Sequence, residues 1–166
     1  MSQTLVKLSN RLTSNQKKFV AEVIGTFIVV VFATGSVVID SRLHGALGIS
    51  FIAFAPFVGI AVCVYLFGKI SMAHFNPAVT LGFLITKHIT KIQLMYYLCA
   101  EIIGALLGSL FVKYVIGFNA NLGANAPNYS FPIPIVFGIE VLATALLMAV
   151  IFTVMACKAY SSALYL

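Results

Sequence analysis

Ser71-Met72-Ala73-His74-Phe75-Asn76-Pro77-Ala78-Val79-Thr80 is a polar interruption in an otherwise apolar chain, and its reading decides the fold. Asn76 is a strong helix N-cap, and Pro77 falls at the first helical position, where its missing N–H costs nothing. The apolar residues Ala78 to Ile85 continue that helix for only about two turns before Lys87 and His88. At about 1.5 Å per residue, ten residues reach half of a hydrocarbon core roughly 30 Å thick. The stretch therefore predicts a half-helix, within about residues 70–86, that enters a membrane and ends without crossing it. Ile70 to Phe75 are expected to be extended, with carbonyls that have no helical partner. Such backbone is tolerated at membrane depth only inside protein or along a wet cavity. A pore or substrate site follows.

The remainder of the chain agrees with an all-α transmembrane protein. Hydrophobic residues make up 61% and charged residues 8% of the 166, with a mean hydropathy of +1.08. Ten Lys and Arg against four Asp and Glu give a formal charge of +6. The basic residues sit at the ends of apolar runs, which reads as membrane topology and not as a nucleic-acid surface. Cys63, Cys99 and Cys157 each stand alone in an apolar run, so neither a disulfide framework nor a metal site is expected. No cofactor is implied.

In chain order, residues 1–18 read as a basic cytoplasmic segment. Phe19 to Ile39 is a first span, too long for a signal-peptide core. Ala46 to Gly68 is a second, interrupted by Pro56, and Ile92 to Gly117 is a third. Residues 118–131 are an uncharged, Asn-rich extracellular connecting loop. Residues 132–166 hold a fourth span and a tail. If the half-helix returns to the side it came from, Lys7, Arg11, Lys17, Lys18, Lys69, Lys87, Lys91 and Lys158 share one side, and Arg42 lies on the other. The positive-inside rule then places the N-terminus in the cytoplasm of a multi-pass cell-membrane protein.

Glu22-Val23-Ile24-Gly25-Thr26 in the first span matches Glu140-Val141-Leu142-Ala143-Thr144 in the fourth. An intramembrane glutamate is a functional-site hypothesis by default, and its recurrence in one context marks an internal repeat. Three spans per repeat is odd, so successive repeats must be inverted in the membrane. Asn76 lies 54 residues after Glu22. The same step from Glu140 falls past Leu166, so the second repeat is expected to be incomplete, with residues 19–117 forming the first.

These residues resemble the aquaporin and glycerol-facilitator (major intrinsic protein) family. Its pattern Ser-Gly-Ala/Gly-His-x-Asn-Pro-Ala-Val-Thr matches Ser71 to Thr80 except at Met72. The resemblance covers about residues 19–156 and implies an aquaporin-like inverted-repeat bundle. It also implies passive transport of water or a small neutral, glycerol-like solute across the lipid bilayer, with no enzymatic chemistry and the family's usual homotetramer when complete. Glu22 and Glu140 would brace the re-entrant loops. Asn76, with Pro77 and Ala78 behind it, would present an amide donor to the permeant, and Met72, Ala73 and His74 would offer carbonyl acceptors. Pro56 stands where the family places a large filter residue, and Glu101 where a glutamine is common. The family's second Asn-Pro-Ala and filter arginine are absent from this sequence, so the 166 residues are expected to form an incomplete pore on their own.

Other readings stand beside these. His74 is read as bracing the loop, and Glu101 as a protonated or hydrogen-bonded packing residue with no functional role. Gly104-Ala105-Leu106-Leu107-Gly108 is read as an internal helix-packing stripe. Inverted repeats and broken helices also occur in ion-coupled secondary transporters, and a non-transporting fragment is the third alternative.

Overall fold

A computed structural model describes residues 13–164, with side chains through residue 157. Lys7 and Arg11, used in the charge reading, lie outside the described residues, as does the side chain of Lys158. The described residues are all-helical and contain four helices long and apolar enough to cross a membrane. They fall into two compact units, one through Ala124 and one from Asn125.

In the first unit, α1 (Ser14–Arg42) begins at a capping box in which Thr13 and Gln16 satisfy each other's backbone N–H groups. It packs against both α2 (Gly48–Ser71) and α4 (Lys91–Phe111), while the short α3 (Pro77–Ile85) packs on α4. The turn after α1 is closed by Asp40. Its Oδ1 accepts from the N–H groups of Leu47 and Gly48 at 2.9 and 2.8 Å, capping an α2 whose own N-cap, Leu47, has no side chain able to do so. A second capping box, Thr90 with Gln93, starts α4. A π-turn (Val112–Ile116) ends that span. A short turn, Ala120–Gly123, then folds back on α1, bringing Gly123 against the Thr34 carbonyl.

The contact between α1 and α4 depends on two glycines. A Cβ at Gly104 would lie 2.5 Å from the Val23 carbonyl oxygen and 2.9 Å from Thr26 Cβ. One at Gly108 would lie 3.0 Å from the Phe27 carbonyl oxygen. The stripe therefore packs within the unit, letting two backbones meet.

Several boundaries differ from expectation. α2 is continuous through Pro56 and runs on to Ser71, so Ile70 and Ser71 are helical. The residues after it are not extended: Met72, Ala73 and Phe75 have φ of 68°, 54° and 51°. Left-handed backbone reverses the chain within a few residues, whereas an extended stretch would carry it onward. The half-helix is confined to nine residues, Pro77–Ile85.

Contacts with α4 show how this stretch runs. The hydroxyl of Tyr97 meets the Ser71 carbonyl, and Thr80 meets Glu101. Tyr97 and Glu101 lie about 9 and 15 Å along α4 from Lys91. After Thr80 the chain returns through α3 to the turn Thr86–Thr90, beside the start of α4. So α3 and α4 form a helical hairpin whose α3 half is too short to span.

In the second unit, Pro132 carbonyl bonds start α5 (Ile133–Leu164). Its 25 residues from Ile133 to Cys157 carry the fourth candidate span, and none of its most apolar window is buried.

Candidate functional site

The site is built where α2 stops and α3 starts. Met72 ends α2 in the left-handed conformation, its N–H bonded to the Gly68 carbonyl at 3.1 Å. A residue with a Cβ pays a steric cost there that glycine does not. The result is a loop whose N–H groups find their acceptors in side chains and not in a helix.

The N–H groups turn toward α1. Glu22, fully buried, accepts from Ser71 Oγ at 2.5 Å and from the His74 N–H at 3.0 Å on Oε1. Its Oε2 accepts from the Phe75 N–H at 2.7 Å. Ser71 Oγ in turn accepts from the Ala73 N–H at 3.2 Å. One carboxylate thus satisfies backbone donors that this non-helical loop cannot give to a helix. Gly25, one turn along α1, lets the Phe75 ring lie directly on it: a Cβ there would sit 2.0 Å from Phe75 Cε1.

A second layer comes from α3 and α4. The His74 ring lies between Phe83 and Tyr97, with centroids 4.2 and 4.3 Å away. Its Nδ1 is 2.8 Å from Thr80 Oγ1, which is 2.6 Å from Glu101 Oε1. The Tyr97 hydroxyl donates to the Ser71 carbonyl at 2.6 Å. The loop is therefore held from both sides, by Glu22 on α1 and by Tyr97 and Glu101 on α4.

The groups left over define what the site can do. Asn76 Oδ1 accepts from the Ala78 N–H at 2.9 Å, so its carboxamide NH₂ remains a free donor at a half-exposed position. It lies at the N-terminus of α3, the positive end of the helix dipole. Among the described residues nothing donates to the carbonyls of Met72, Ala73 or His74. Carbonyls without donors and a free amide donor within five residues of one another are groups able to hydrogen-bond a small neutral molecule. Among the described residues no cluster of His, Cys, Asp or Glu could hold a metal ion.

Of the residues singled out from sequence, Met72, Ala73, His74, Asn76, Pro77, Ala78 and Glu22 come together here. Pro56 does not join them. It lies fifteen residues before Ser71 on α2, about 22 Å along the helix. Glu140 belongs to the second unit, where it is exposed and borders a cleft of about 290 Å³ with Phe131, Ile135, Val136 and Ile139. Among the described residues nothing donates to its carboxylate. Sequence reasoning left Glu101, Thr80 and Tyr97 without site roles. Glu101 carried the same signal as Glu22, an ionisable group inside a span. Nothing in the pattern of Thr80 or Tyr97 distinguishes them from packing residues.

With this geometry in hand, comparison with known proteins is specific. Residues 9–163 match the family described as Major intrinsic protein. The chain is 36% identical over 141 residues to "Glycerol uptake facilitator protein-like 6" of Lactiplantibacillus plantarum, covering 83% of this chain and 63% of that protein. It is 36% identical over 159 residues to "Probable aquaporin AqpM" of Archaeoglobus fulgidus, covering 83% and 65%. It is 35% identical over 119 residues to "Aquaporin Z" of Photorhabdus laumondii, covering 68% and 51%. The chain thus spans less than two thirds of the length of these relatives. The family match over nearly the whole sequence, on four candidate spans, makes this chain a non-enzymatic channel homologue that belongs to the major intrinsic protein family.

Proposed function

We propose that the first unit forms one wall of an aquaporin-type pore for water or a small uncharged solute. The carrying observation is a free Asn76 NH₂, its oxygen already tied to the Ala78 N–H, close in sequence to three carbonyls that nothing among the described residues donates to. A molecule such as water would receive the Asn76 donor on its oxygen and give its protons to the carbonyls. The dipole of α3 would oppose cations and protons at the same point. On this reading α3 is a re-entrant half-helix, and the N-terminus faces the cytoplasm. Glu140 is the counterpart of Glu22 in an inverted repeat, and the assembled channel is a homotetramer. The facing wall would be supplied by sequence of the kind the relatives carry in the part of their length this chain does not cover.

The test is osmotic shrinkage of vesicles holding the chain together with that complementary segment of the Lactiplantibacillus plantarum relative. Shrinkage above that of empty vesicles is expected, insensitive to an imposed proton gradient and reduced by Asn76→Ala. Shrinkage unchanged by Asn76→Ala would remove Asn76 from the permeation path. Dependence on the gradient would favour a coupled transporter.

A further inference from the structure

Two carboxyl groups lie wholly inside the first unit, Glu22 at 0% and Glu101 at 1% exposure, and their surroundings are unequal. Glu22 receives three donors. Among the described residues Glu101 meets a single hydroxyl, Thr80 Oγ1, and its Oε2 is buried without a close partner. The Asn76 N–H points at the Glu101 carboxyl as a second, weaker donor, while Oε2 keeps no close partner among the described residues. Among the described residues, the groups that act on Glu101 are Thr80 on α3, Glu22 on α1 and the Asn76 backbone, and none is a cation; Lys18 acts on His74. On its own helix it faces Tyr97, whose hydroxyl is committed to the Ser71 carbonyl. His74 reaches it only through Thr80.

Two anions in such an interior would be desolvated and mutually repelling. With three donors, Glu22 is the place for negative charge. Glu101, with one close donor, one weaker one and an orphaned oxygen, is the place for a proton.

That proton has a directional consequence, because the Thr80 hydroxyl has one hydrogen and two partners. If Glu101 were ionised, Thr80 would have to donate to it, and His74 Nδ1 would have to carry a hydrogen to donate to Thr80. If Glu101 is neutral with its hydrogen on Oε1, the order reverses along the whole chain, and the hydrogen falls on His74 Nε2, which is buried and has no partner among the described residues, a smaller cost than a second buried anion. We propose that Glu101 is a neutral acid that donates to Thr80, turning the Thr80 hydroxyl onto His74 Nδ1 and fixing His74 as its Nε2–H tautomer. Glu101 is then a positioning residue, acting through Thr80 and His74 on the loop that bears the Met72–His74 carbonyls. Its bearing on permeation rests on the pore reading above, but the proton and the tautomer do not.

The experiment uses the protein in lipid vesicles with ¹⁵N-labelled histidine, and His44→Asn and His88→Gln so that His74 is the sole histidine. The Nε2–H tautomer is expected in the nitrogen spectrum. It should persist in Glu101→Gln, whose amide N–H takes over the donation to Thr80. In the infrared spectrum, the C=O band of a protonated carboxyl is expected in the parent and lost in Glu101→Gln. An Nδ1–H tautomer, an imidazolium, or a carboxyl band that survives the substitution overturns the proposal. Failure of the pore reading shows separately, as shrinkage insensitive to Asn76→Ala in samples whose tautomer is as expected.

Discussion

Removing the Glu22 carboxylate tests the loop more directly than any other change. In Glu22→Ala three donors lose their acceptor: Ser71 Oγ and the N–H groups of His74 and Phe75. The serine hydroxyl can rotate to another acceptor, but the two N–H groups are fixed in a loop held by left-handed Met72, Ala73 and Phe75 and cannot. A buried donor without a partner costs about 1–3 kcal/mol, so the variant is expected to lose about 2–6 kcal/mol. Hydrogen bonds between membrane helices average only about 0.6 kcal/mol, because the unfolded chain also finds partners. That places the expected value toward the lower end of the range. Glu22→Gln keeps an oxygen for Ser71 and His74 but turns an NH₂ toward the Phe75 N–H. One donor is orphaned, for about 1–3 kcal/mol. Titration of helical circular dichroism with denaturing detergent in mixed micelles gives both values. The order expected is parent, then Gln, then Ala. An alanine variant within about 0.5 kcal/mol of the parent, the scale of an ordinary surface change, would refute the claim that Glu22 holds the loop.

Asn76→Asp keeps the cap oxygen for Ala78 but removes the NH₂ donor, so stability is expected to hold while osmotic shrinkage falls. Asn76→Ala should additionally lose about 0.5–2 kcal/mol of capping energy. Met72→Gly should stabilise the chain by about 1 kcal/mol in the same detergent titration, since Met72 sits at φ 68°. Gly104→Ala drives a Cβ to 2.5 Å from the Val23 carbonyl oxygen. It should cost about 1–3 kcal/mol as α1 and α4 separate, where an exposed site such as Ala53 changed to glycine costs only helix propensity. Cysteines placed singly at Lys17 and Lys87 should react with an impermeant thiol reagent from the same side of the membrane. Opposite sides would show that α3 does not return.

By itself the sequence determined the spans, because burial of an apolar helix in lipid is a property of one segment and is written in its run of residues. It also determined that a helix starts at Pro77, since the cap and the proline act within one turn. The repeated Glu-x-x-x-Thr drew attention to Glu22 before any contact was known. What only the tertiary structure decided is how the loop before that helix is held. Nothing local makes Met72, Ala73 and Phe75 left-handed; their own preferences oppose it. The conformation is imposed by the Glu22 carboxylate, by the Gly25 surface under Phe75, and by Tyr97 on the Ser71 carbonyl. Those partners lie many residues away, and a pattern read along the chain carries no distance between them. Glu101 shows the same divide. As an acid within a span it was visible, but its place in the line Glu101–Thr80–His74 exists only because α3 folds back along α4. Pro56, read as a break, left α2 whole, and α1 meets that helix on both sides of it, at Gly48 through Asp40 and at Cys63 through the Gly25 carbonyl.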